Sequence, residues 1–275
     1  MTQKNPQERI HTTIWHEDAE PDNPFAAARC RCHGYDVYGD MLGQASWIEY
    51  LFLLFRGEAP SPGQARLLED LALVLANPGP RDASVHAAMA AGVGGSPSAA
   101  CLMAALAVGA GGLGGAREVE RVMQQFRMWG TELAMWQQKM PDYAQMDAGG
   151  IWPAAEHPPG FDPHGVNCPT PIRQSLAHLS SLSDGTCLPW LQHHRQALET
   201  FAGMPLGIAA VAAAALIDLG FGAAQGEMLY LLLRLPGAAA HALEQRDSGY
   251  KKFPFFRIEL GNDPGPTTLR NHDIE

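Results

Sequence analysis

Basic residues are scarce in this sequence: 19 lysines and arginines stand against 29 acids among 275 residues, a formal net charge of −10. They cluster nowhere, which excludes a nucleic-acid ligand, because neutralising a phosphate backbone relies on grouped Lys and Arg. Cysteine is also sparse. The five, at 30, 32, 101, 168 and 187, form no CxxC pair and no metal-ligand spacing, so no metal is expected and the Cys30-Arg31-Cys32 triplet reads as structural. The N-terminal MTQKNPQERIHTTIWHED lacks the apolar core of a secretory signal, and a cytoplasmic, reducing setting is expected. Two apolar runs approach membrane-span length, residues 99–116 and 201–219, but glycines interrupt the first and Pro205 and Asp218 the second. Both therefore read as buried helices rather than spans. Sustained period-two alternation followed by a hairpin turn is missing, which argues against a sheet-based fold, and no internal repeat is found.

What remains is helical and packed. Hydrophobic residues make up 46% of the chain and charged residues 17%, a globular composition long enough for one large domain or two lobes sharing a cleft. Ser46 and Glu49 form a capping box ahead of WIEYLFLLF, with Gly57 as the stop. Ser61, Pro62 and Gln64 repeat the pattern before LLEDLALVLA, and Ser96-Pro97 opens a third helix, AACLMAALAVGAGG. Its small residues allow close backbone approach, placing it at the protein's centre or in an oligomer interface. Helices continue to about Gln138 and resume near Ile172, near Leu191 and from Pro205 to Arg246 in three segments punctuated by Gly220 and Pro236-Gly237. Between them, 142–170 is loaded with Gly, Pro, Asp and His and is no single regular element. Long irregular stretches of this kind commonly carry function.

Five segments in order carry a family resemblance: HGYDVYGDMLGQASWIEYLFLLFRGEAPSPGQ, SPSAACLMAALAVGAGGLGGARE, PPGFDPHG, MPLGIAAVAAAALIDLGF with RLPGAAAHALEQR, and the closing FRIELGNDPGP. Together they resemble the short citrate synthase and citryl-CoA lyase proteins. The resemblance implies an all-α, citrate synthase-like fold with a large helical domain and a smaller inserted one. Its division would be 1–116 and 231–275 for the large domain and 117–230 for the small. It further implies a coenzyme A thioester as substrate, no tightly bound cofactor, and a homodimer or higher homo-oligomer without nucleic-acid or membrane partners.

In that family one histidine polarises the thioester carbonyl, an aspartate removes a proton and a second histidine holds a keto group. By motif order the first position falls here at Leu113 and the aspartate at Ala209, while the loop histidine, His164, is displaced by one place. Leucine and alanine transfer no proton, and general acid and base groups typically contribute 10²- to 10⁴-fold each. The standard mechanism therefore does not carry over.

Asp162 with His164 is the candidate replacement pair, a carboxylate near an imidazole fixing its tautomer; the alternative is that both are solvated turn residues. His86 lies close to another substrate-facing histidine of the family, with a half-buried structural role as its alternative. Cys168 is a candidate nucleophile if His164 lowers its pKa, and an inert thiol otherwise. Arg234 matches a carboxylate-holding arginine, and Arg173 and Arg257 are further candidates, because an arginine fork suits carboxylate or phosphate. Gly112, Gly114 and Gly115, with Pro159, Gly160 and Phe161, are expected to offer backbone groups to the CoA arm, or else simply to make tight turns. The reaction expected from the resemblance is making or breaking a carbon–carbon bond next to a thioester carbonyl. The rivals are different acyl-CoA chemistry on the same fold, and a catalytically inactive paralogue that binds CoA or an active subunit.

Overall fold

The computed structural model describes residues 11–140 and 157–253. Among them ten α-helices follow a small antiparallel sheet: α1 (Trp47–Arg56), α2 (Pro62–Leu75), α3 (Ala83–Val93), α4 (Ser98–Gly109), α5 (Ala116–Trp129), α6 (Leu133–Lys139), α7 (Thr170–Leu182), α8 (Cys187–Ala202), α9 (Ile208–Asp218) and α10 (Ala223–Ser248). The all-α reading holds. The sheet, β1 (Trp15–Ala19), β2 (Ala27–Cys32) and β3 (Tyr35–Asp36), is an addition to it. Its exposed first strand, WHEDA, has no alternating pattern to betray it. The β2–β3 turn uses His33 and Gly34, both at positive φ (47° and 92°), the geometry a tight hairpin requires.

The first two helices begin as their sequences dictate. Ser46 and Glu49 close one capping box, Ser61 and Gln64 another with Pro62 in the first turn, and Gly57 ends α1 in the left-handed region at φ 76°. The third device is not realised. Pro97 is the N-cap of α4 and the Ser96 side chain makes no capping bond, leaving close packing to hold this helix.

Helix α9 is the centre of the core. Every residue from Ala209 to Leu216 is buried, surrounded by α2, α5, α7, α8 and α10. At its last residue, Asp218 accepts from the backbone N–H of Cys187 (2.8 Å) and Leu188 (2.9 Å) and from Ser183 Oγ (2.7 Å). A carboxylate at the end of one helix thus satisfies the free N–H groups at the start of the helix before it. Phe126, Trp129, Trp136 and Trp190 form an aromatic cluster with centroid separations of 4.8–5.6 Å, edge-on except for the tilted Trp136–Trp190 pair.

The segmentation expected at Pro236-Gly237 does not occur: α10 runs unbroken for 26 residues, about 39 Å at the standard rise, and crosses position 230/231 as one rod. Pro236 lacks an N–H, and the N–H of Gly237 donates instead to the carbonyl of Ala76 at the end of α2, at 2.7 Å. The neighbouring chain therefore takes a bond that the helix gives up. A side chain at Gly237 would meet that same oxygen at 2.6 Å, so the close approach itself requires glycine. Farther along, the Ala242 backbone touches Gly92 of α3, with no room for a β-carbon. Among the described residues no helix is long and apolar enough to cross a membrane.

Candidate functional site

Three of the five resemblance-bearing segments meet around one buried carboxylate. Glu118, in the first turn of α5 and 2% exposed, accepts the backbone N–H of Gly114 on one oxygen and that of Gly160 (2.6 Å) on the other. It ties the GGLGG turn to the PPGF loop across 42 residues of sequence. The carbonyl of Gly114 is engaged as well. It accepts from Tyr230 Oη (3.2 Å) and from a terminal nitrogen of Arg234 (2.8 Å), and the other terminal nitrogen of Arg234 meets Asp82, the N-cap of α3. Arg234 lies over the Tyr230 ring at 4.8 Å. Burial, with smaller contributions from Asp82 and Glu118, pushes the Tyr230 hydroxyl up to about 12, although the Arg234 charge pulls the other way.

The PPGF loop is fastened on its other side to the MPLG segment. Asp162 N–H donates to the Pro205 carbonyl (2.9 Å), and Gly207 N–H donates to the Gly160 carbonyl (2.7 Å). Gly160 sits at φ 91°, and a β-carbon there would meet Ala210 at 2.9 Å and Val122 at 3.0 Å. Phe161 pairs with Leu206 and fills the core beneath the loop, while Pro159 is half-buried. Gly115 has the Gly111 carbonyl against the place of its absent side chain, and Gly112 lies near Arg121. Packing therefore demands glycine at Gly115 and Gly160, and a φ of 64° favours it at Gly114, whereas at Gly112 a β-carbon would meet only an ordinary contact.

Several proposed groups are differently employed. Asp162 accepts from the backbone N–H of His164 (2.9 Å), closing a turn; the pairing of its carboxylate with the imidazole is not formed, and His164 is exposed. Cys168 is buried, and its thiol is pushed up by burial first and by Glu199 second, outweighing Arg195 and Arg173, the opposite direction to that which a nucleophile needs. Arg173 braces the start of α7 through the Cys168 carbonyl (3.0 Å) and Thr170 Oγ1 (2.9 Å). It flanks a polar cleft of about 430 Å³ with Arg195 and Glu199. His86 is half-buried on α3 with its ring 6.0 Å from Phe253. Leu113 projects from the turn, 56% exposed, whereas Ala209 is buried in α9. The one acid in MPLGIAAVAAAALIDLGF is Asp218, at the end of α9, and its carboxylate is taken up by the start of α8. Arg257 lies outside the described residues. Among the described residues no three His, Cys, Asp or Glu side chains gather as a metal site.

Glu118, Asp82, Tyr230 and His157 were not singled out from sequence. Glu118 closes the quoted GGLGGARE motif, but its role depends on a loop 42 residues away, and Arg234 meets Asp82 across 152 residues. The only local signal was Asp82 two places before Ser84, an ordinary helix start.

No protein-family model and no curated protein sequence matches this chain. Solved structures do. Citryl-CoA lyase from Hydrogenobacter thermophilus superposes with a TM-score of 0.70 at 17% identity, over 94% of this chain and 97% of that one. ATP citrate lyase from Methanosaeta concilii, a D541A mutant in complex with (3S)-citryl-CoA, gives 0.67 at 16% over 93% of this chain but only 43% of its own. The chain has the citrate synthase-like fold. Another ATP citrate lyase, from Methanothrix soehngenii in complex with citrate and coenzyme A, matches with a TM-score of 0.66, again over 43% of its length. In this citrate synthase-like fold the network around Glu118 draws together three of the five segments that carried the sequence resemblance.

Proposed function

We propose that this chain is an enzyme of the citrate synthase or citryl-CoA lyase type, making or cleaving a carbon–carbon bond next to a coenzyme A thioester with non-standard catalytic groups. The observation that supports it is the convergence of the GGLGG turn, the PPGF loop and Arg234 of RLPG around Glu118 and the Gly114 carbonyl, with MPLG fastened to the loop, a frame retained although the family's proton-transferring positions carry Leu113 and Ala209. Rigid scaffolding of a site is what precise positioning of a substrate needs. The substrate is an acyl-CoA or carboxylate, held without a tightly bound cofactor, and the five cysteines remain free thiols as in a cytoplasmic protein.

The working unit is a homodimer or higher homo-oligomer. Helix α4 leaves Met103 and Val108 exposed on its outer side, an apolar face of the sort subunit contacts cover. The lobes follow 1–116 with 231–275 and 117–230, α10 running continuously between them.

The test is an assay of citryl-CoA cleavage and of acetyl-CoA condensation with a series of keto acids. Turnover in one direction is expected; no turnover with any substrate, together with no heat of CoA binding in calorimetry, overturns the reading. A second reading, a CoA-binding or subunit-partner paralogue without activity, is favoured by the engagement of Asp218, the one acid in MPLGIAAVAAAALIDLGF, at the start of α8. CoA binding without turnover, or a stable hetero-complex with an active subunit, would select it. Function lies in the site rather than the fold, so the assay decides between them.

A further inference from the structure

The Glu118 network contains one atom that it does not use. His157 stands immediately before Pro158 and is only 8% exposed, and its Nε2 has no hydrogen-bond partner among the described residues. Glu118 Oε1 is 3.6 Å away, too far for a hydrogen bond. Nor can Glu118 close that gap freely, because each of its oxygens already holds a backbone N–H, of Gly114 and of Gly160. The proline that follows restricts the backbone of His157 as well, so neither group is loose. An unpaired buried polar nitrogen is costly, and its retention calls for a reason.

Two other buried side-chain nitrogens among the described residues share this condition, His33 Nε2 and Trp190 Nε1. The indole of Trp190 belongs to the aromatic cluster with Phe126 and Trp136, and an unmet N–H there accompanies packing. His33 occupies a hairpin turn at positive φ, fixed by backbone geometry. Only His157 faces a carboxylate, and only it adjoins the loop and turn that the Glu118 network fastens together.

We propose that His157 Nε2 donates a hydrogen bond to a neutral carbonyl oxygen of the bound substrate, with Glu118 as its positioning partner. This rests on the acyl-CoA reading above and names the acceptor within it. Glu118 favours the tautomer with hydrogen on Nε2, since an acid oxygen at 3.6 Å attracts an N–H and repels a lone pair. The same carboxylate selects against an anionic acceptor, because a substrate carboxylate at that nitrogen would lie beside Glu118 with like charge. A thioester or keto oxygen carries no such penalty. His157 thereby places a hydrogen-bond donor beside a turn whose corresponding side chain, Leu113, has none.

The full-length protein with heavy-nitrogen-labelled histidine tests this by nuclear magnetic resonance, titrated separately with acetyl-CoA and with free CoA, which lacks the acyl carbonyl. The His157 signal is assigned by its loss in His157→Phe. It is expected to shift with acetyl-CoA and not with CoA, a signature that a purely structural histidine would not produce. In calorimetry His157→Phe should lower the preference for acetyl-CoA over CoA by about tenfold, the scale of one buried hydrogen bond, and His157→Gln should restore part of it. Binding of both probes with an unmoved His157 signal overturns this assignment while leaving the acyl-CoA reading intact. Absence of binding by either probe overturns both.

Discussion

Helices α4 and α9 use nearly the same alphabet, SAACLMAALAVG and IAAVAAAALID, yet they occupy opposite environments. From Ala209 to Leu216 α9 is wholly buried, whereas α4 buries only Cys101, Ala105 and Gly109 and leaves Met103 62% exposed. Neither has an amphipathic stripe, so periodicity does not say which side turns inward. Their neighbours decide. Helix α9 is packed by α2, α5, α7, α8 and α10, while α4 rests mainly on α3 and α10 and keeps one side open. Small residues mark close backbone approach; the number of helices that make the approach sets the depth. Of the two places expected for α4 from sequence, the centre is thus taken by α9.

One chemical change made in both helices tests that contrast most severely. Ala213→Leu in α9 has no space to enter and should lower stability by about 3 kcal/mol, near the upper end for overpacking, whereas Ala107→Leu on the open side of α4 should stay within about 0.5 kcal/mol. Urea unfolding of the two variants gives the comparison directly, and equal losses would break it.

The buried side of the molecule should also show itself at high pH. The Tyr230 hydroxyl is raised from its ordinary value of 10.0 to about 12 in the folded protein. The unfolded chain therefore ionises first, so this contribution is fully present below pH 10 and is lost as pH rises toward about 12. The loss amounts to about 2–3 kcal/mol. Tyr230→Phe removes this dependence, which denaturant midpoints measured at pH 9 and pH 11.5 would reveal, though it also removes the bond to Gly114. A slope unchanged in that variant would show the ionisation to lie elsewhere.

Subtler effects are expected on the open side. Met103→Glu should leave monomer stability within about 0.5 kcal/mol, as a surface change does, but weaken self-association read by analytical ultracentrifugation. An unchanged sedimentation profile would remove α4 from the subunit contact. Smallest of all is the expected response of Cys187, whose thiol burial and Asp218 push up to about 12. It should resist alkylation by iodoacetamide at pH 8 in the native protein and react once the chain is unfolded, as mass spectrometry of the labelled peptide would show.

The same division between local and distant information runs through the candidate site. The segments that form it were visible as motifs, and so was the leucine at position 113 in the GGLGG turn. The Asp162–His164 pairing was not realised because a carboxylate two residues ahead of a free N–H closes a turn before it reaches an imidazole. Cys168 stood between a nucleophile and an inert thiol, and the fold buries it near Glu199. Arg234 was recognisable between apolar segments, while its partner Asp82 and the carbonyl of Gly114 lie 152 and 120 residues away. Such pairings follow from how helices stack, and no spacing rule encodes them.

By itself the sequence determined the helical class, both capping boxes, the absence of any membrane-length apolar helix among the described residues and the order of the segments around Glu118, because each of these is decided within a few residues of chain. Tertiary structure alone decided that Pro236 continues a helix, that α9 rather than α4 is central, and that Glu118 joins two glycine turns and leaves His157 Nε2 unpaired. Each of those outcomes depends on a hydrogen-bond partner or a packing neighbour supplied by a distant part of the chain, as when the carbonyl of Ala76 accepts the N–H of Gly237.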